Sequence, residues 1–172
     1  MSEHVAIVAG VGGELGRATA EKLAAAIGTY HLGEALTATP EDLRLMIDVN
    51  LGPALWLTQA VAPYLRGRGS GSIVHVAARP GLEPTAGMAT YAVSKAALVH
   101  LTRVLDLELR PLGIQVNAVA PQLLDTAKNR PYLTPHLLAH GVAPEAVADI
   151  IVYLVSDAAA PVSGAVVPAY GA

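Results

Sequence analysis

Short apolar runs that end in glycine, proline or small polar residues alternate along this chain with longer stretches of helical periodicity. His4-Val5-Ala6-Ile7-Val8-Ala9 reads as a buried strand running into a glycine cluster, and residues 14–26 as the helix that follows it. Residues 27–39 show no strand pattern. Pro40-Glu41-Asp42 marks a helix start, because proline suits the first turn and carboxylates favour the positive end of the helix dipole. That helix extends to about Arg66 with Pro53 inside it. Pro53 has no N–H for the carbonyl of Val49, so a kink beside Asn50 is expected. Ser72 to Ala77 reads as the next strand, and a helix around Tyr91 extends to about Leu112. Ile114 to Ala120 is a third strand, broken at Pro121. A helix from about Pro144 to Ser156 and a last strand at Ala165-Val166-Val167 complete the pattern. Strands alternating with helices predict a parallel α/β sheet in a single domain spanning 1–172.

Composition narrows the field of functions. The chain has 172 residues and is 53% hydrophobic, enough for a real core, yet no apolar run approaches the roughly 18–20 residues of a membrane span. Eleven basic against fourteen acidic residues supply no field for nucleic acid or anionic membranes. With no cysteine, disulfides, thiolate catalysis and Cys-ligated metal are excluded. No basic stretch precedes an apolar one at the N-terminus, so the expected location is cytoplasmic.

The sharpest chemical signal is Tyr91 and Lys95, four apart in Thr90-Tyr91-Ala92-Val93-Ser94-Lys95. On a helix both project from one face, where an ammonium stabilises a phenolate and lowers the Tyr pKa towards a useful range. His136 and His140 share the same spacing but lack a third ligand, so no metal site is expected. Trp56 and its apolar neighbours read as a packing face, and Glu34 as a loop carboxylate.

Five segments in order resemble the short-chain dehydrogenase/reductase family. They are Gly10-Val11-Gly12-Gly13-Glu14-Leu15-Gly16 after the first strand, Asp48-Val49-Asn50-Leu51, the Tyr91–Lys95 motif, Val116 to Pro121 with Asp125-Thr126, and Ser163-Gly164 with Val167-Pro168. The resemblance implies catalytic roles for Tyr91, Lys95 and Asn50, and a cofactor site at Gly10, Gly13, Gly16, Arg17 and Thr126. It also implies a Rossmann-like three-layer sandwich. The segment from Ile27 resembles the stretch just after the family's Asn-Ala-Gly turn, so two or three strands of the family order 3-2-1-4-5-6-7 are absent. A truncated parallel sheet of about four strands, order 1-5-6-7, is the expectation.

Further departures bear on function. Glu14 stands where one branch of the family has glycine, and its carboxylate competes with pyrophosphate at a helix start. The family's substrate-binding serine falls at Ala78, with His75 nearby as a substitute donor, and Gln122 replaces a glycine of the nicotinamide loop. NAD(P) is therefore expected to bind weakly or not at all. The expected activity is acid–base chemistry on a small carbonyl or hydroxyl substrate, either as an impaired oxidoreductase or, without a cofactor, as an isomerase, dehydratase or lyase. The alternative is a silent auxiliary subunit of a complete relative. An exposed first-strand edge and the long helices 41–66 and 90–112 predict a homo- or hetero-oligomer.

Overall fold

The computed structural model describes residues 6–9, 31–127, 129–138 and 140–171. Strands β1 (Ala6–Ala9), β2 (Gly71–Val76), β3 (Ile114–Pro121) and β4 (Val166–Ala169) pair in chain order, and every pair is parallel. β1 lies directly against β2, with Ile7 opposite Ile73. This is the 1-5-6-7 arrangement that the resemblance implies. The expected helix over 14–26 and the glycine cluster before it lie outside the described residues.

The helices are α1 (Pro40–Asn50), α2 (Gly52–Arg68), α3 (Ala89–Leu109), α4 (Pro135–Leu138) and α5 (Pro144–Leu154), of which α2, α3 and α5 pack on the sheet. A parallel sheet covered on both faces needs apolar side chains at successive positions. Leu65 and Leu105 accordingly pack with Ile73, Ile114 and Val116 on one face. On the other, Val147, Ile151 and Leu154 close over Val74, Val76 and Val119. Ile73, Ile114 and Ile151 are fully enclosed; burial of each contributes about 2 kcal/mol.

The single helix expected over 41–66 divides at Leu51, beside Asn50, as the missing N–H of Pro53 requires. Thr39 starts α1 with a reciprocal cap, its hydroxyl accepting from the Asp42 N–H while its own N–H donates to the Asp42 carboxylate. Trp56 departs from expectation. It is 59% exposed, on the outer surface with Tyr64, because its indole folds back over Gly52 rather than into the core.

Buried polar groups fix the lead-in to β4. Asp106, 1% exposed, accepts hydrogen bonds from Ser163 and Arg110. The Asn117 side chain donates to the Val162 carbonyl at 2.9 Å and accepts from the Ala165 N–H at 3.0 Å. Gly164 has φ +74°, and a Cβ there would come within 2.7 Å of the Asp106 carboxylate, so the tether requires glycine.

Candidate active site

Helix α3 carries the central pair, and the end of β2 receives it. Lys95 is 2% exposed and donates from Nζ to the Val76 carbonyl at 2.9 Å. Close approach makes this contact possible: a Cβ on Gly81 would lie 2.7 Å from the Lys95 carbonyl carbon, so the turn Arg79–Gly81 lies against the α3 backbone. Burial pushes the Lys95 ammonium down to about 8. Its Nζ lies 5.9 Å from the centroid of the Tyr91 ring. The two residues therefore share one end of α3, as their spacing predicts. The expected depression of the Tyr91 pKa is not met, however: Tyr91 is partly buried, and desolvation pushes its phenol up to about 12.

Asn50 is 1% exposed between α1 and α3. Its amide donates to the Ser94 hydroxyl at 3.2 Å, and that hydroxyl donates to the Tyr91 carbonyl at 2.8 Å. This relay ties Asn50 to the first turn of α3. Ser94 is the unforeseen link, visible only once the two helices are packed together.

His75 does not replace the serine missing at Ala78. It is wholly enclosed, with Nδ1 2.9 Å from the Thr102 hydroxyl. That hydroxyl gives its single proton to the Leu98 carbonyl at 2.8 Å, so Nδ1 carries the imidazole hydrogen. Nε2 is left buried without a partner among the described residues. Burial first, then the Lys95 charge, push the imidazole down to about 4.

Beyond Ala78 lies a cluster that sequence reasoning missed. Arg79 donates from Nε to Glu83 at 2.7 Å and from Nη1 to the Gln122 side chain at 2.8 Å. Its guanidinium carbon lies 4.9 Å from the Tyr170 ring centroid. Burial, and then the charge of Glu83 and a hydrogen bond with it, push the Tyr170 phenol up. Arg79 follows β2, Gln122 follows β3 and Tyr170 follows β4, so the cluster spans the carboxyl ends of three adjacent strands. The available sequence signal was a cation immediately after a strand.

Thr126 is 7% exposed and accepts from the Asn129 N–H at 3.2 Å, stabilising a turn beside the Asp125–Arg130 ion pair. His136 and His140 meet edge to face with centroids 5.1 Å apart, and no group of three metal-ligating side chains occurs among the described residues. Gly10, Gly13, Gly16, Arg17 and Glu14 lie outside the described residues. No described helix is long and apolar enough to cross a membrane.

The family model described as short chain dehydrogenase matches residues 25–135, well over half of the chain. The chain belongs to the short chain dehydrogenase family. Within that family it is 32% identical over 151 residues to the 4-formylbenzenesulfonate dehydrogenase TsaC1/TsaC2 of Comamonas testosteroni, covering 80% of this chain and 60% of the relative. It is 35% identical over 135 residues to the 3-oxoacyl-[acyl-carrier-protein] reductase FabG of Thermotoga maritima, covering 74% and 55%. Among solved short chain dehydrogenase structures, a 7α-hydroxysteroid dehydrogenase complexed with NADH and 7-oxo glycochenodeoxycholic acid superposes with a TM-score of 0.78 at 28% identity, covering 84% of this chain and 60% of that one. The chain thus spans little more than half the length of these relatives.

Proposed function

We propose that this short chain dehydrogenase relative performs acid–base chemistry on a small carbonyl or hydroxyl substrate, with Tyr91 as the proton donor. The observation carrying this reading is the juxtaposition at the end of β2, where Lys95 is held on the Val76 carbonyl 5.9 Å from the Tyr91 ring. A phenol pushed up to about 12 is protonated at neutral pH, so it acts as an acid. Its proton passes to the substrate oxygen, and the nearby Lys95 cation stabilises the phenolate left behind. Asn50, through Ser94, holds the first turn of α3 so that the hydroxyl keeps its aim. The compounds in the names of its relatives, 4-formylbenzenesulfonate, 3-oxoacyl-[acyl-carrier-protein] and 7-oxo glycochenodeoxycholic acid, support carbonyl substrates. Tyr91→Phe should abolish turnover of such substrates while changing stability by less than about 1 kcal/mol, since only a hydroxyl is removed. Full activity in the variant would end this reading.

NAD(P), which the family implies, fits the described residues poorly. A dinucleotide lies where the strand order of a sheet reverses, whereas these strands run β1-β2-β3-β4 without reversal. The Arg79–Gln122 bond also spans the carboxyl ends of β2 and β3. Calorimetric titration with NADH and NADPH should therefore show no low-micromolar dissociation constant; finding one would restore ordinary hydride chemistry. The second reading, a silent partner subunit, is favoured by Ala78, where one lost donor typically costs about 3–4 kcal/mol of transition-state stabilisation, and by Glu14 and the missing adenosine half. Exposed Trp56, Tyr64, Val93 and Leu107 on α2 and α3 offer a face for either a second copy or a complete relative.

A further inference from the structure

Outside the Tyr91–Lys95 pair, one cation stands at the carboxyl edge of the sheet with its donors incompletely used. Arg79 begins the turn whose Gly81 lies against the Lys95 backbone, and its side chain reaches across the ends of β2, β3 and β4. Open α/β sheets take their ligands at this edge. Two contacts fix the plane of the guanidinium: Gln122 on Nη1 and the face of Tyr170.

Glu83 makes only a single-point contact. One of its oxygens meets Nε at 2.7 Å, while Nη2, on the same edge of the guanidinium, has no partner among the described residues. The Arg79 and Glu83 side chains are 40% and 47% exposed, so water screens the pair and it exchanges readily. Nε and Nη2 together form the fork that matches two oxygens of a planar anion. An arriving carboxylate or sulfonate gains two bonds where Glu83 makes one.

We propose that Arg79 is a recognition residue for an anionic substrate group, a carboxylate or sulfonate, which takes the place of Glu83 on the Nε–Nη2 edge. The assignment of that group to a substrate rests on the acid–base reading of Tyr91; the binding of the anion does not. The test uses benzoate and benzenesulfonate as probes, titrated onto isotope-labelled protein while the Gln122 and Tyr170 amides are followed by NMR. Saturable shifts are expected at both amides, with neutral benzamide at least about tenfold weaker, as loss of a charge-assisted bidentate contact implies. Arg79→Met should weaken benzoate by about tenfold or more, and Arg79→Lys by less, because it keeps the charge and loses the fork. Glu83→Gln should tighten it about threefold by removing the competing carboxylate. Equal binding of benzoate and benzamide, unchanged affinity in Arg79→Met, or no tightening in Glu83→Gln would overturn the proposal. Tyr91→Phe should bind benzoate like the wild type. Loss of turnover in that variant without anion binding in the wild type removes the subsite and keeps the chemistry; retained turnover alongside Arg79-dependent binding does the reverse.

Discussion

Replacing Lys95 with methionine should make this protein more stable while removing the proton transfer proposed for Tyr91. The Lys95 ammonium is enclosed, and burial lowers its pKa from 10.5 to about 8, a shift equivalent to roughly 3 kcal/mol of penalty on the charged form at neutral pH. Methionine matches the side chain in length and removes that penalty. Its cost includes the charge-assisted hydrogen bond to Val76, whose carbonyl loses a donor worth about 2 kcal/mol. A net gain of about 1 kcal/mol should appear in urea denaturation at pH 7. The sign of the pH dependence follows from the depressed pKa. Between about 8 and 10.5 the unfolded chain holds a proton that the native state has released, so wild-type stability rises with pH and the advantage of the variant shrinks. A variant no more stable than wild type at pH 7 would mean that Lys95 pays no such penalty.

The second large effect is acid sensitivity centred on His75. The enclosed imidazole is lowered from 6.5 to about 4, so below pH 6.5 the unfolded chain takes up a proton that the native state refuses. Stability should therefore fall by roughly 3 kcal/mol as pH drops from about 6.5 to 4, with little dependence on this group above that window. His75→Leu removes both the titration and the unpartnered Nε2, at the loss of the contact to Thr102. Denaturation curves of the two proteins at pH 7, 5.5 and 4 should diverge steadily towards acid. Parallel curves would refute the assignment.

Sequence patterning reached the elements more easily than the contacts between them. The apolar runs at 72–77 and 114–120 carry the mark of strands covered on both faces, and Pro53 announces the division of α1 from α2 through its missing donor. The position of β1 beside β2 was legible because segments implied by the resemblance are absent between them. The spacing of Tyr91 and Lys95 gave their shared helix face. It did not give the surrounding desolvation, which arises from α3 lying on β3 and against the turn Arg79–Gly81 and sets the direction of both pKa shifts. The bond from Asn50 to Ser94 was not legible because the two are distant in sequence and adjacent only in the packed helices. Arg79, Gln122 and Tyr170 were invisible as a group for the same reason: each follows a different strand, and parallel pairing alone brings them together. Trp56 was misread because an apolar residue in a helix carries no indication of which way its ring folds.

Helix α3 serves two distant parts of the molecule at once. Its first turns set Lys95 on the end of β2 and Ser94 on Asn50 of α1, while Asp106 near its far end grips Ser163 and so fixes the approach to β4. Because each residue turns a helix by about 100°, a single insertion or deletion between Lys95 and Asp106 would swing one of these stations away from its partner. Point substitutions on the outer face, at Ala96, His100 or Arg103, leave both stations in phase. The length of this rod is therefore a stricter inheritance than its composition, and divergence among descendants of this chain would be confined to exchanges of residues there, with changes of length pushed out to the turns between Pro121 and Pro144.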